Sequence, residues 1–392
     1  MEQKRIYLDN NATTQLAPEA REAMLPFLSE KYGNPNSIHR FGSEARAPLS
    51  DAYDKLYDLI EASDQDNVVI NSCATEGNNT VLQGVYHTLI RTGQKDHIIT
   101  SNVEHPSVLN VCQYLETLGV KVTYLPVTHD GFVTPEGVKE ALTARTALIS
   151  LMWANNETGV IFPIDEIACI AREKGVLFHT DATQVIGKIP VSVKEKSIDF
   201  LTYSGHKFHA PKGIGALYIR SGVNLPPLLY GGEQMGGLRG GTLNMASIVA
   251  LGVAARLAKE GLSDELTRVK ALRDHFENTL VASLPDTFVN GKRDARTPNT
   301  SSLIFKGVEG EAILWDLNEN NMAASTGSAC ATGSEKASYV LTALGIEAAL
   351  AHSAVRFSLS RYNTAPEIEE AILIVKKTIE RLRSISTSYK AG

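Results

Sequence analysis

The sequence predicts an α/β protein: a mainly parallel, doubly wound sheet with helices on both faces, joined to a smaller α+β unit. Three observations carry this. Between about residue 60 and residue 220, short β-branched runs alternate with helical stretches. Most of those runs are apolar throughout, as strands covered on both faces must be. The chain has 392 residues, too many for one ordinary domain and suited to two of roughly 100–200 residues each.

The strands expected in the first unit are Asn67–Ser72, His97–Thr100, Val120–Val127, Ala147–Trp153, Val176–His179, Asp199–Tyr203 and Gly215–Ile219. Helices are expected between them over Gly77–Arg91, Pro106–Leu118 and Ile164–Lys174. After Gly240 the texture changes. Met245–Lys259 reads as a helix and Ser263–Leu284 as a long amphipathic one that joins two domains. Strand Thr300–Phe305, helix Glu309–Asn318, a small-residue loop Ala323–Ser334, strand Ala354–Ser358 and helix Ala365–Ile385 follow. The expected division is a large domain over 15–262 and a small one made of 1–14 and 263–392.

Composition narrows the function. The chain is 43% hydrophobic, 21% charged and 7% aromatic, which excludes wholesale disorder and collagen-like repetition. Lys+Arg number 38 against 44 Asp+Glu, a net charge of −6. A field of that sign recruits neither nucleic acid nor an anionic membrane. No run of about 18 apolar residues occurs, and the N-terminus lacks the apolar core of a secretion signal. Cys73, Cys112, Cys169 and Cys330 are spread along the chain without C-x-x-C or tight Cys/His spacing. That pattern argues against a zinc site or a disulfide framework. The expectation is a cytoplasmic enzyme with free thiols and no metal.

Polar residues gather where the expected strands end, which is where open α/β sheets bind ligands. Thr75 follows the first strand at a helix start and reads as an ordinary N-cap or as an anion seat. Glu104-His105 and Asn155-Asn156-Glu157-Thr158-Gly159 follow two more strands and read as turns or as site residues. Asp181 ends another, with Gln184 close behind, and Ser204-Gly205-His206-Lys207 ends the next. A carboxylate at the end of an apolar strand is costly unless something cationic or protonated faces it. Asp181 and Lys207 are therefore either a structural ion pair or the two poles of a pyridoxal phosphate site. In such a site the carboxylate holds the pyridinium proton and the lysine forms a Schiff base. The latter reading accounts for all the strand ends at once. Separately, Ser325–Ser334 surrounds Cys330 with glycine and hydroxyl residues, the composition of a mobile surface loop carrying a reactive thiol. The other three cysteines are expected to be small apolar filler.

The ordered set Tyr7–Thr14, Gly33-Asn34-Pro35, Ala74-Thr75-Glu76, Glu104-His105, Asn155–Gly159, His179–Gln184, Ser204–Lys207 and Gly327-Ser328-Ala329-Cys330 resembles the cysteine desulfurases. These form the NifS/IscS-like branch of the class V pyridoxal-phosphate-dependent aminotransferase fold (fold type I), and the resemblance runs from about residue 5 to residue 365. It implies that Lys207 carries pyridoxal 5'-phosphate, Asp181 pairs with its ring nitrogen, Gln184 meets its ring hydroxyl and His105 stacks on it. Ala74 (through its backbone), Thr75, Ser204 and His206 would hold the phosphate, with Gly205 and Asn155 also at the cofactor. Thr242, in Arg239-Gly240-Gly241-Thr242, would reach the phosphate of a second subunit, implying a homodimer. Asn155, Arg356 and Asn34 would bind the substrate L-cysteine. Cys330 would be the nucleophile, becoming a persulfide as alanine is released, and would pass sulfur to an iron–sulfur scaffold protein or another acceptor. The same resemblance leaves room for a selenocysteine lyase, another enzyme of this fold, or a sulfur-transfer scaffold without activity. One departure stands out: Ala210 precedes Pro211 where the family pattern has glycine.

Overall fold

The computed structural model describes residues 5–327, 337–387 and 389. Cys330 lies outside the described residues. Twelve strands run along the described chain: β1 (Ile6–Tyr7), β2 (Asn67–Asn71), β3 (His97–Ser101), β4 (Lys121–Leu125), β5 (Thr146–Met152), β6 (Leu177–Asp181), β7 (Phe200–Ser204), β8 (Gly215–Ile219), β9 (Thr287–Val289), β10 (Thr300–Phe305), β11 (Met322–Ala323) and β12 (Ala354–Ser358). Strands β2 to β8 form one sheet in the order β2-β8-β7-β6-β5-β3-β4. Its pairs are parallel except those made by β8, which is antiparallel to both β2 and β7. The reversal of β8 has a simple cause. Only residues 205–214 separate it from β7, too short a stretch for the helical crossover that a parallel neighbour requires.

Both faces of this sheet are buried, as its apolar strands demand. Alternate residues point to opposite sides: Ile149, Leu151, Leu201 and Tyr203 enter the larger core, while Leu148, Phe200, Leu217 and Ile219 enter the core on the other face. Helices Arg46–Ile60 and Met245–Glu260 pack together on the first side. Helices Ala74–Val85 and Pro106–Thr117 pack on the second. Gly77 lets the helix Ala74–Val85 lie close on β7, since a Cβ there would stand 2.5 Å from Thr202 Cγ2.

A second core gathers Phe276, Leu303, Phe305, Val355, Phe357 and Ile372 around the antiparallel sheet β12-β10-β9. Ile6 and Leu8 join this core, and β1 pairs with β11. The opening segment thus packs with the C-terminal part. The helix expected over Gly77–Arg91 begins at Ala74 and ends in a π-helical turn, Tyr86–Ile90. The helix expected over Ser263–Leu284 is interrupted by a similar turn at Glu265–Val269. Among the described residues, no helix is long and apolar enough to cross a membrane.

Candidate active site

The expected site residues converge at the carboxyl ends of β2, β3, β6 and β7. Asp181, the last residue of β6, is buried. Its oxygens are held by uncharged donors: the Thr183 amide on Oδ1 at 3.0 Å and Asn78 Nδ2 on Oδ2 at 2.8 Å. The same Asn78 amide donates to Ser107 Oγ at 2.8 Å, and Ser107 Oγ lies 2.8 Å from His105 Nδ1. Because Nδ1 also accepts from the Ser107 amide, the neutral ring carries its proton on Nε2. Burial lowers the pKa of His105, Asp181 opposes that shift and Lys207 adds to it. Asp181, Asn78, Ser107 and His105 therefore form one connected line of hydrogen bonds. The sequence reading named its two ends and missed Asn78 and Ser107. Asn78 stands three residues after Thr75 and so falls on the same helix face, which was the available signal.

Lys207 follows β7 in a single 3₁₀ turn, Gly205–Lys207, and is half-buried. Its Nζ donates to the backbone oxygens of Asn11 at 2.6 Å and Ala12 at 2.8 Å. Gly205 makes that turn possible, because a Cβ there would lie 2.8 Å from Leu251 Cδ1 and 2.9 Å from the Ala210 Cβ. Gln184 is buried and donates to the Asn11 oxygen at 3.1 Å. The helix Ala74–Val85 starts without a side-chain cap, and its Ala74 amide donates to Ser204 Oγ at 2.7 Å. Thr75 is exposed on that first turn. His206, whose Nδ1 lies 3.1 Å from Thr13 Oγ1, has its pKa lowered to about 4 by burial, then by Lys207, Lys212 and Lys188. Glu104 is fully buried, accepts from Ser101 Oγ and the Met152 amide, and is pushed up to about 8 by burial.

The substrate-side residues sit differently. Asn155 is buried with its amide fully engaged: Oδ1 accepts from the Glu157 and Thr158 amides, and Nδ2 donates to the Val103 oxygen and Met152 Sδ. Here it shapes its own turn. Arg356 reaches Asp9 Oδ1 at 2.8 Å and the Asn156 oxygen at 2.9 Å, while its buried Nε has no partner. Asn34 is exposed and caps the amide of Asn36. Thr242 is exposed, and the Arg239 before it pairs with Glu76 at 3.0 Å. Among the other cysteines, Cys112 is buried as expected, Cys73 is half-buried at the helix start, and Cys169 is exposed on the helix Ile164–Glu173. The expectation of apolar filler fails for Cys169, whose position faces away from the sheet.

Comparison with known proteins agrees with the geometry. The sequence pattern of the family described as aminotransferase class-V matches residues 6–371. "Cysteine desulfurase 2" of Trichormus variabilis is 49% identical over 381 residues, covering 97% of this chain and 94% of that protein. "Cysteine desulfurase NifS" of Azotobacter vinelandii is 45% identical over 387 residues, covering 99% and 96%. A solved structure titled "NIFS-LIKE PROTEIN" superposes with a TM-score of 0.90 at 36% identity, covering 97% of this chain and all of that one. Another, titled "SspA in complex with cysteine", gives 0.81 at 34% identity, covering 92% of this chain and 100% of that one. The chain belongs to the class-V aminotransferase family, on its NifS/IscS-like cysteine desulfurase branch.

Proposed function

We propose that this protein is a pyridoxal-phosphate-dependent cysteine desulfurase that moves sulfur from L-cysteine to Cys330 and releases L-alanine. The observation that carries the cofactor assignment is the placement of Asp181 and Lys207 at the carboxyl ends of the neighbouring strands β6 and β7. A buried carboxylate held by uncharged donors and a lysine held by backbone carbonyls suit a pyridinium nitrogen and a Schiff base. An uncapped helix start beside Ser204 and His206 suits a phosphate. When bound, pyridoxal phosphate supplies an electron sink that acidifies the substrate Cα–H and activates its β-carbon.

The rest falls to the chain. Asp181 keeps the ring nitrogen protonated, Gln184 meets the ring hydroxyl, His105 covers the ring, and Ala74, Thr75, Ser204 and His206 hold the phosphate, with Gly205 beside the cofactor. Thr242 reaches the phosphate of a second copy in a homodimer. Lys207 Nζ takes the proton from the substrate Cα. His105, neutral with its proton on Nε2, is placed to exchange a proton with the substrate thiol. Arg356, beside Asp9, orients the substrate carboxylate with Asn34, while Asn155 holds the turn that lines the substrate side. The Cys330 thiolate then takes the substrate sulfur: the Cβ–S bond breaks, an S–S bond forms, and the β-carbon gains a proton to become a methyl group. The persulfide passes to an iron–sulfur scaffold or another acceptor in the cytoplasm. Residues 15–262 form the cofactor domain in this reading, and 1–14 with 263–392 form the domain carrying Cys330.

The test is chemical. The purified protein should be yellow, and borohydride should abolish the colour while fixing a pyridoxyl mass on the peptide containing Lys207. A label on another lysine would overturn the assignment.

A further inference from the structure

Lys188 is a buried lysine that the reaction above does not use. It is 6% exposed, and its Nζ donates to Gln184 Oε1 at 2.9 Å and to Asn11 Oδ1 at 3.1 Å. Neither partner is a carboxylate. Asn11 is the residue whose backbone oxygen accepts from both Lys207 and Gln184. Two lysines thus converge on the two oxygens of one buried asparagine, which Asn299 and Thr300 hold from behind. Lys188 and Lys207 also border a common cavity of about 10 Å³, together with Glu265 and Arg361. That is room for about one water.

Burying an ammonium between amide groups is costly, and removing the charge would relieve it. A position with only a structural task would be served more cheaply by an uncharged donor. The donor inventory shows what the charge adds. An ammonium donates and never accepts, so the Gln184 amide must turn Oε1 toward Lys188 and its NH₂ group toward the Asn11 backbone oxygen that Lys207 also uses. Like charges also repel, so each lysine weakens the other's hold on a proton. We propose that Lys188 is a positioning residue for this site: it fixes the Gln184 amide with its donor end on the Asn11 oxygen shared with Lys207, and while charged it favours the neutral amine at Lys207. The groups that face Lys188 are Lys207, His206 and His209 from the segment after β7, Arg356 and Arg361 on and beyond β12, and Glu265. Of these only Glu265 is acidic. Burial first, then Lys207, lowers the pKa of Lys188 to about 7, with Glu265 opposing. Lys188 therefore carries its charge on the acid side of neutrality and loses it as pH rises.

This inference rests on Lys207 being the reactive lysine of the site, and its test is independent of turnover. The cofactor-free full-length protein is pulsed with acetic anhydride across pH 6–11, and acetylation of Lys207 is followed by peptide mass spectrometry. Lys188→Gln keeps a donor for Gln184 and removes the charge, whereas Lys188→Met removes both. Both should slow acetylation of Lys207 roughly tenfold at pH 6, where Lys188 is charged, and leave it unchanged above pH 9, where it is not. Lys188→Arg, charged throughout, should keep the wild-type rate at pH 6. An unchanged rate at pH 6 in both variants, or a loss that Lys188→Arg also shows, would overturn the proposal. If Lys188→Met does not fold, Lys188→Gln decides the question. Should neither fold, Lys188→Arg decides: its charge must also speed acetylation of Lys207 above pH 9 relative to wild type, and an unchanged rate there would refute the charge effect. Failure of the cofactor reading would show separately, as a borohydride label absent from Lys207.

Discussion

Ser338 donates its hydroxyl to Glu157 Oε2 at 2.6 Å, and the same oxygen occupies the place of a side chain at residue 327: a Cβ on Gly327 would lie 2.0 Å from it. Gly327 and Ser338 stand on either side of the sequence that carries Cys330. One buried carboxylate thus meets the chain before and after the segment that contains Cys330. Burial pushes the Glu157 carboxyl up, against the pull of Ser338 and Arg356.

From this contact, Gly327→Ala should force either Glu157 or the backbone to shift. The expected cost is about 1–3 kcal/mol of stability and a fall of roughly tenfold in sulfur transfer, the size expected when a reacting group is misplaced. Cofactor absorbance should be unchanged. Single-turnover alanine release checks this, and a variant as fast as wild type would contradict it. Glu157→Gln should be far milder, since an amide can still accept from Ser338.

Lys207→Ala should abolish turnover while permitting some cofactor binding. The contacts assigned to Asp181, Gln184, Ser204 and His206 survive the change, so retention on dialysis should weaken without vanishing. Alanine production at the wild-type rate would refute the role of Lys207.

The pH dependence of stability should carry two opposed signatures. Burial lowers the pKa of His209 to about 4, with Arg361 adding to the shift. Between pH 6.5 and 4 the unfolded chain binds the proton that the folded one refuses, so stability falls as pH drops through that window. His209 has φ +72°, a left-handed conformation that asparagine tolerates. His209→Asn should therefore flatten the loss between pH 7 and pH 5, read as urea midpoints. Glu104 works the other way. Its carboxyl is raised to about 8, so the folded state binds the extra proton between pH 4.5 and 8, and stability falls as pH rises through that range. Glu104→Gln should gain on wild type between pH 5 and pH 8. A constant difference would refute the assignment.

Much of this architecture is legible in the sequence because helices on both sides of the sheet force its strands to be apolar at every position. Gly215–Ile219, Thr300–Phe305, Ala354–Ser358 and Ala365–Ile385 appear with the boundaries the pattern predicts. Helix Arg46–Ile60 was not legible, since it buries only Ala52, Leu56, Leu59 and Ile60, with Tyr53 and Tyr57 partly buried against the core and most of its charges exposed. The strand direction of β8 is set by a connection length, which periodicity does not report. In the site, Asp181 and Lys207 announce themselves as charges at the ends of apolar strands. Asn11 acts through partners far away in the chain, so no local pattern marks it, whereas Asn78 follows Thr75 by three residues and Lys188 follows Gln184 by four. Asn155 carries the opposite lesson: a polar residue at a strand end spends its Oδ1 on its own turn and its Nδ2 on the Val103 oxygen and Met152 Sδ.

If Thr242 completes the cofactor site of a second copy, the protein should sediment as a dimer at micromolar concentration. Thr242→Ala should then weaken cofactor retention in both sites. A monomer holding its cofactor at full activity would contradict this.

The most direct test of the whole account is the fate of the sulfur. The protein is treated with L-cysteine in the absence of reductant, digested without reduction and read by mass spectrometry for about 32 Da of added mass, one persulfide sulfur, on each thiol peptide. The account predicts the addition on the Cys330 peptide, with alanine released in step and none released by Cys330→Ser, whose hydroxyl is a poor sulfur acceptor. Added sulfur on Cys73, Cys112 or the exposed Cys169, with Cys330 unmodified, would contradict it.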